Sequence, residues 1–389
     1  MKCRATGSAA RARKAPVLTP AAEALAEQAG PLGDALVAWF EHEGRDYPWR
    51  RTTDPWAILV SEVMLQQTTI PTVLGRYEAW MAQFPTPAQL AAASETEALR
   101  SWEGLGYYRR VRALRAAAMA IEERHGGRFP EDEEAIRALP GIGDYTVGAV
   151  LSFAFNRPAP LVDANVSRIL ARLLDDDQPV DAPACRRLHW ELAARLVHRR
   201  SPRAFNSGIM ELGQRLCRSG EPDCLLCPLR PWCRTTRPAE LPKKLPKIPV
   251  TRAEHHDILL ITDEGLLMER QSSGKRHEGL YRLPQRSLAE VDGLEFIDEQ
   301  HYSVTRYKVT RRLYLAPAGY PARAGESFIP LSRLAETPMA SPDRKIIARH
   351  LPKPAIETAS PEAEPSRLTS CDGAMPPSTP RPTNRNTPS

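Results

Sequence analysis

Leu139-Pro140-Gly141-Ile142-Gly143 joins one helical stretch, Asp132 to Ala138, to a second, Tyr145 to Phe155. Glycines at both ends of a three-residue step let the backbone turn tightly and let a ligand come close to it. The N–H groups that open the second helix can then hold a phosphate. An ordinary helix-helix turn can carry the same letters, so the surroundings must decide. From Asp34 to about Phe205 apolar residues recur at helical spacing, as in Ala35-Leu36-Val37-Ala38-Trp39-Phe40, and no alternating strand pattern interrupts them. An all-helical first domain is expected.

Two carboxylates flank this turn in the sequence. Asp54-Pro55 is a good helix start, a capping side chain followed by proline in the first turn, and the helix is read as running through Glu62 to Gln67. Glu62 sits in an almost wholly apolar stretch, Ala57-Ile58-Leu59-Val60-Ser61-Glu62-Val63-Met64-Leu65. Burial disfavours its charged form, which would raise its pKa and suit it to general acid work. A structural glutamate paired with an arginine is the alternative. Asp163 follows Ala159-Pro160-Leu161-Val162 and precedes a helix from Ala164 to Leu174, so it reads as an N-cap. Helix N–H groups would keep such a carboxylate ionised at low pKa. One protonated and one anionic carboxyl are what cleavage of a glycosidic bond through an oxocarbenium-like transition state requires.

Cys217, Cys224, Cys227 and Cys233 have the spacing C-x6-C-x2-C-x5-C, while Cys3, Cys185 and Cys371 are scattered. One short loop can thus converge four thiolates on a single centre, and in a reducing compartment such a cluster reads as a metal site. Tetrahedral zinc and an iron-sulfur cluster both fit on spacing alone. Arg215, Arg218 and Arg230 lie close by in the sequence and suggest a basic loop.

The remaining chain divides by composition. With 389 residues it is too long for one ordinary core and suits two domains with tails. Residues 1–32 read as a disordered basic arm, carrying Lys2, Arg4, Arg11, Arg13 and Lys14 with no acid before Glu23. A mitochondrial transit peptide is the minority reading of that composition. The first domain spans 33–235. Residues 236–250 hold Pro238, Pro242, Pro246 and Pro249 among lysines, an extended linker. In 251–351, Asp257 to Ile261, Gly265 to Met268 and the alternating Tyr302 to Leu315 read as strands, and Arg344 to His350 as a closing helix, a small α+β domain. Nine prolines in residues 352–389 leave no material for a core, so that tail should be disordered. A net charge of +6 favours a polyanionic partner without distinguishing nucleic acid from a membrane surface. No run of 18 apolar residues and no apolar leader is present, so neither insertion in a membrane nor export is expected. A cytoplasmic, nucleoid-associated location follows as an expectation.

Five motifs stand together in order: Ser61-Glu62-Val63-Met64-Leu65-Gln66-Gln67-Thr68, Gly104-Leu105-Gly106-Tyr107-Tyr108, the two-glycine hairpin, Val162-Asp163 with Asn165-Val166, and the cysteine loop. In that order they resemble the A/G-specific adenine DNA glycosylases, the MutY family of the endonuclease III superfamily, over about 34–235 and more weakly over 251–350. The resemblance implies a mainly α helix-hairpin-helix glycosylase domain ending in a 4Fe-4S loop on the four cysteines, plus a Nudix-like C-terminal domain. It implies removal of adenine opposite 8-oxoguanine or guanine in double-stranded DNA by a monomer. Glu62 would protonate adenine at N7, and Asp163 would stabilise the sugar cation and assist water attack. Tyr145 and Asn165 would orient these groups. Relatives that also cut the backbone have a lysine nucleophile where Tyr145 stands, so base removal alone is implied. Gly141 and Gly143 would grip the DNA backbone, Gln67 and Tyr107 would fill the gap left by the extruded base, and Trp49-Arg50 would lie near the adenine pocket. Gly279 to Pro284 fits the Nudix-like core, without a glutamate-rich Nudix box after it. Val304-Thr305-Arg306 stands where the family has Phe-Ser-His, with Thr305 and Arg306 as the implied 8-oxoguanine contacts, and Ala164 stands where glycine is usual.

Overall fold

The computed structural model describes residues 18–246, 249–272, 274, 277–304 and 306–351. Its helical part runs α1 (Pro20–Ala26), α2 (Ala29–Glu43), α3 (Pro55–Leu65), α4 (Ile70–Gln83), α5 (Pro87–Ala92), α6 (Glu95–Ser101), α7 (Arg109–His125), α8 (Glu133–Arg137), α9 (Asp144–Phe153), α10 (Ala164–Leu174), α11 (Pro183–Leu196) and α12 (Pro202–Arg215). Many starts are written in the sequence. Proline occupies the first turn of α3, α4, α5, α11 and α12, where its missing N–H costs no hydrogen bond. Asp54, Ser94, Asp132 and Asp163 cap their helices through the side chain.

Helix α3 is buried from Trp56 to Met64 and packs among α4, α7 and α9, as a helix apolar on every side must. A second core joins α1, α2, α10, α11 and α12 around Leu32, Leu36, Leu170, Leu192 and Leu212. Residues 18–32 belong to that core and not to a disordered arm. Leu18, Ala22, Leu25 and Leu32 are all buried, because a few aliphatics at helical spacing suffice once α10 and α11 offer a surface. The basic residues Lys2 to Lys14, with Cys3, and the tail with Cys371 lie outside the described residues. Among the described residues no helix is long and apolar enough to cross a membrane.

The sheet part contains β1 (Thr251–Leu259), β2 (Ile261–Thr262), β3 (Gly265–Arg270), β4 (Tyr281–Arg282), β5 (Gln285–Arg286), β6 (Glu295–Val304), β7 (Tyr307–Leu315) and β8 (Glu326–Ile329), followed by α13 (Ser341–His350). Two four-stranded sheets form: one in the order β5-β1-β7-β6, the other β2-β3-β4 with β8 paired to β3. Strands β1 and β7 run parallel from Thr251 opposite Tyr307 to Leu259 opposite Leu315. Tyr302 to Leu315 is therefore not one strand. Val304 pairs with Tyr307 across a reversal, and the half-buried or buried positions switch from 302 and 304 to 307, 309 and 313. A strand's alternation changes phase where the chain turns back, so this break was present in the sequence without a glycine or proline to mark it.

The two parts are joined by more than the chain. Leu280 and Ala340 enter the helical core, Tyr108 Oη donates to the Met339 carbonyl at 3.0 Å, and Arg344 spans both carboxylate oxygens of Glu103 at 2.7 and 2.8 Å. The proline-rich segment after residue 235 is also held in its first half. Leu241 is buried, its carbonyl accepts from Arg172 Nε at 3.1 Å, and the Lys243 carbonyl accepts from Val180 N–H at 3.0 Å.

Candidate active site

A cleft of about 910 Å³ opens between the end of α3, the two-glycine hairpin and the starts of α9 and α10. Trp49, Arg50, Glu62, Gln67, Gly141, Gly143, Tyr145, Asp163 and Asn165, nine positions chosen from sequence, all line it. Tyr107 and Arg306 do not line it. Thr305 lies outside the described residues.

Glu62 reaches the cleft from the buried face of α3 and is 5% exposed. Burial pushes its carboxyl up to about 7; the hydrogen bond with Tyr145 opposes this, the Asp163 charge adds to it and Arg50 opposes it weakly. Glu62 is not an arginine-paired structural glutamate. That description belongs to Glu211, fully buried, with Arg50 Nη1 at 2.5 Å and Arg45 and Arg215 each at 3.8 Å. Trp49, at the wall, stacks on Tyr47 with ring centroids 5.1 Å apart.

Asp163 caps α10, accepting from Val166 N–H at 2.8 Å and from Asn165 Nδ2 at 2.9 Å. Its pKa is nevertheless raised, against the expectation of a low value. Burial is the largest influence, and the cap and the Asn165 amide offset only part of it. The Asn165 oxygen accepts from Arg168 Nη2 at 2.8 Å, and Arg168 also donates to the carbonyls of Gly213 and Cys217, both at 2.7 Å. Half-buried Tyr145 has its phenol pushed well above the usual range, first by burial and then by the Glu62 and Asp163 charges, so it stays protonated. Its Oη lies 3.5 Å from Met210 Sδ.

Two glycines that sequence reasoning overlooked make this convergence possible. A Cβ on Gly148 of α9 would overlap the Pro160 carbonyl, so α9 and the segment leading to Asp163 touch backbone to backbone. A Cβ on Gly213 of α12 would stand 2.6 Å from the Asn165 Cβ. In the hairpin, Gly141 has φ +77° and no room for a Cβ, which would meet Ala113 at 2.5 Å, whereas Gly143 caps α9 in extended backbone beside open space. The first glycine is required by the fold; the second leaves the helix start uncovered.

Helix α3 ends at Leu65, short of Gln67, whose φ is +57°; Tyr107 likewise has φ +47° and is 38% exposed. Left-handed backbone at two non-glycine residues needs support from elsewhere. Arg110 supplies it. Its Nη1 donates to the carbonyls of Val63, Met64 and Gln66 at 2.8, 2.9 and 2.6 Å, and its Nη2 to those of Leu105 and Gly106 at 2.8 and 3.1 Å. One buried cation thus satisfies the last carbonyls of α3 and ties the two loops together. Burial lowers its pKa to about 10, so it remains charged at neutral pH. Arg186, Trp190 and Arg203 also line the cleft without having been singled out, since nothing in the helical pattern separates them from surface residues.

The four thiols of the cysteine loop are free and partly buried. Cys217, Cys227 and Cys233 pack with Trp232 against the second core, and Arg172 Nη1 lies 3.2 Å from Cys217 Sγ. Burial, then the other three sulfurs, push the Cys227 thiol up to about 11. Arg218 pairs with Asp223 at 3.0 Å and Arg215 with Glu43 at 3.2 Å. The loop is therefore less basic than its sequence suggested. Arg306, in the turn between β6 and β7, donates to Tyr307 Oη at 3.2 Å.

Fold and cleft together define a helical protein whose two-glycine hairpin opens beside a pair of buried acids. Residues 60–194 match the model of the HhH-GPD superfamily of base excision DNA repair proteins. The chain is similar to the adenine DNA glycosylase of Mycobacterium tuberculosis, with 42% identity over 199 residues, 51% of this chain and 65% of that protein. It is similar to the adenine DNA glycosylase of Homo sapiens at 39% identity, over 53% of this chain and 39% of that one. It is also similar to a thymine-DNA glycosylase of Aeropyrum pernix at 38% identity, over 51% of this chain and 91% of that one. The chain belongs to the HhH-GPD superfamily of base excision DNA repair proteins. It spans less than two thirds of the length of the adenine DNA glycosylases it matches.

Proposed function

We propose that this chain is a monofunctional DNA glycosylase that removes adenine opposite 8-oxoguanine or guanine. The observation that carries the proposal is the shared cleft of Glu62, Asp163 and Tyr145, with a carboxyl near 7 beside a second acid. Hydrogen bonds from Val166 and Asn165 favour the Asp163 anion and offset part of the effect of its burial. At neutral pH Glu62 gives its proton to N7 of the extruded adenine, the C1′–N9 bond breaks, and the bonding electrons leave with the base. Asp163 faces the sugar cation and helps water to add, taking up the proton that water loses. Tyr145 and Asn165 hold the two carboxyls in position. Among the described residues no lysine lines the cleft beside Tyr145, which supports hydrolysis without a Schiff base.

Trp49 and Arg50 would border the base pocket, Gln67 and Tyr107 would fill the stack, and the Gly141–Gly143 turn would hold phosphate. The four thiols fit the 4Fe-4S cluster that the resemblance implies. All four are partly buried, and Cys227 senses the charges of the other three, so the donors share one centre. Cys217, Cys224, Cys227 and Cys233 would hold it, and its contribution would be to shape the loop. The sheet part would be the Nudix-like domain facing 8-oxoguanine through Thr305 and Arg306, and the protein would act as a cytoplasmic monomer.

The test is single-turnover incubation with duplexes carrying A opposite 8-oxoguanine, A opposite G, T opposite G, or an oxidised pyrimidine, with and without alkali. Alkali-dependent cleavage of the A strand is expected. Preferred release of T, as the name of the archaeal relative would suggest, strand breaks without alkali, or activity surviving Glu62→Gln would overturn it.

A further inference from the structure

Helix α11 carries a second group of ligand-bearing side chains. One residue before cleft-lining Arg186 and Trp190, and so roughly 100° around the helix, stand Cys185 and His189. Their i, i+4 spacing puts both on one face. Cys185 Sγ lies 3.5 Å from His189 Nε2 and 3.8 Å from Oδ2 of Asp176, which ends the turn after α10. All three ligand atoms lie within 4.8 Å of one another. Cys185 and His189 are 1% and 0% exposed, while half-buried Asp176 leaves an approach from solvent.

A hydrogen-bonded core cluster explains this group poorly. Cys185 Sγ stands between the Asp176 carboxylate and the His189 imidazole in a buried setting, and the buried Nδ1 of His189 has no partner. The neighbours Ala171, Val180 and Ala182 are apolar and offer nothing in compensation. A cation held by Cys185 Sγ, Asp176 Oδ2 and His189 Nε2 engages all three side chains at once and fixes the ring proton on Nδ1. Zinc bound at about 2.3 Å from sulfur and about 2.1 Å from nitrogen holds the two atoms about 3.6 Å apart, close to the spacing found here. Thiolate, imidazole and carboxylate together suit zinc.

We propose that Asp176, Cys185 and His189 form a zinc site, separate from the four-cysteine loop, with water as the fourth ligand. It would bridge the α10–α11 connection to α11 and stiffen the helix that lines the cleft. The inference is independent of which base the enzyme removes.

The test uses the full chain with its iron content measured, stripped of loosely held metal and titrated with Co2+. One equivalent is expected to bind with a thiolate-to-cobalt charge-transfer band, and one equivalent of Zn2+ should abolish that band. Cys185→Ser should eliminate the band with iron unchanged. Asp176→Asn, at a half-exposed position that should fold normally, should weaken Co2+ binding about tenfold or more, since loss of outer partners alone costs ~10–100-fold. Absence of the band in the iron-loaded protein, its persistence in Cys185→Ser, or unchanged affinity in Asp176→Asn would each overturn the proposal.

Discussion

Glu62 is held where its charge is costly, so under the proposed function activity and stability pull in opposite directions. Its folded pKa of about 7 lies above the ordinary 4.5, so the stability of the protonated form is full below 4.5 and is lost as pH rises through about 7. Glu62→Gln keeps the shape and has no charge to bury. At pH 8 the variant should be more stable by roughly 2–3 kcal/mol, a gain that disappears near pH 4 in paired denaturant melts. The same variant should lose about a thousandfold or more in single-turnover base release, as removal of a general acid does. In the unaltered protein, release should fall by about tenfold per pH unit above 7 as Glu62 ionises, and fall again in acid as Asp163 takes up a proton. A rate that stayed level from pH 7 to 9 would remove Glu62 from the acid role. Both carboxylates could be found from their sequence settings, an acid in an apolar run and an acid before a helix. The direction of the Asp163 shift could not, because capping is local whereas burial depends on what closes over the cap.

At the scale of elements, the cleft depends on close backbone approach and on one buried arginine. Gly148→Ala should push α9 from the Pro160 carbonyl and displace Asp163 from Tyr145. The expected outcome is a loss of about 1–3 kcal/mol in stability, as overpacking produces, with a larger fall in base release than in DNA binding. Retained activity would show that the segment before Asp163 has slack. Arg110→Met removes the donor to five carbonyls at the end of α3 and the Tyr107 loop. Unsatisfied buried carbonyls should cost roughly 3–5 kcal/mol together, and limited proteolysis should open the chain near residues 66 and 107 first. The start of α3 was legible from Asp54-Pro55, but its end was not. Nothing between Leu65 and Gln67 breaks a helix; Arg110 ends it by bonding the last carbonyls from another helix.

For the whole molecule, the helical and sheet parts act as one unit through a small polar seam. Glu103→Gln leaves Arg344 without its carboxylate partner; the expected cost is about 1–3 kcal/mol, read as faster proteolysis of the proline-rich segment while the helical circular dichroism is unchanged. Equal proteolysis in the two proteins would mean that Tyr108, Leu280 and Ala340 suffice to join the parts. By itself the sequence determined what is local: helix periodicity and caps, the two-glycine turn, the cysteine spacing, the position of each acid within its own helix, and the change to strand pattern after the prolines. These follow from hydrogen bonds and burial within a few residues. Only the tertiary structure decided that Leu18 to Leu32 fold onto α10 and α11, that Arg50 forms its ion pair with Glu211 and not with Glu62, that burial outweighs the cap at Asp163, and that Gly148 admits the Pro160 carbonyl. Each of these depends on contacts between distant segments, and the pattern of either segment alone does not contain the surface it will meet.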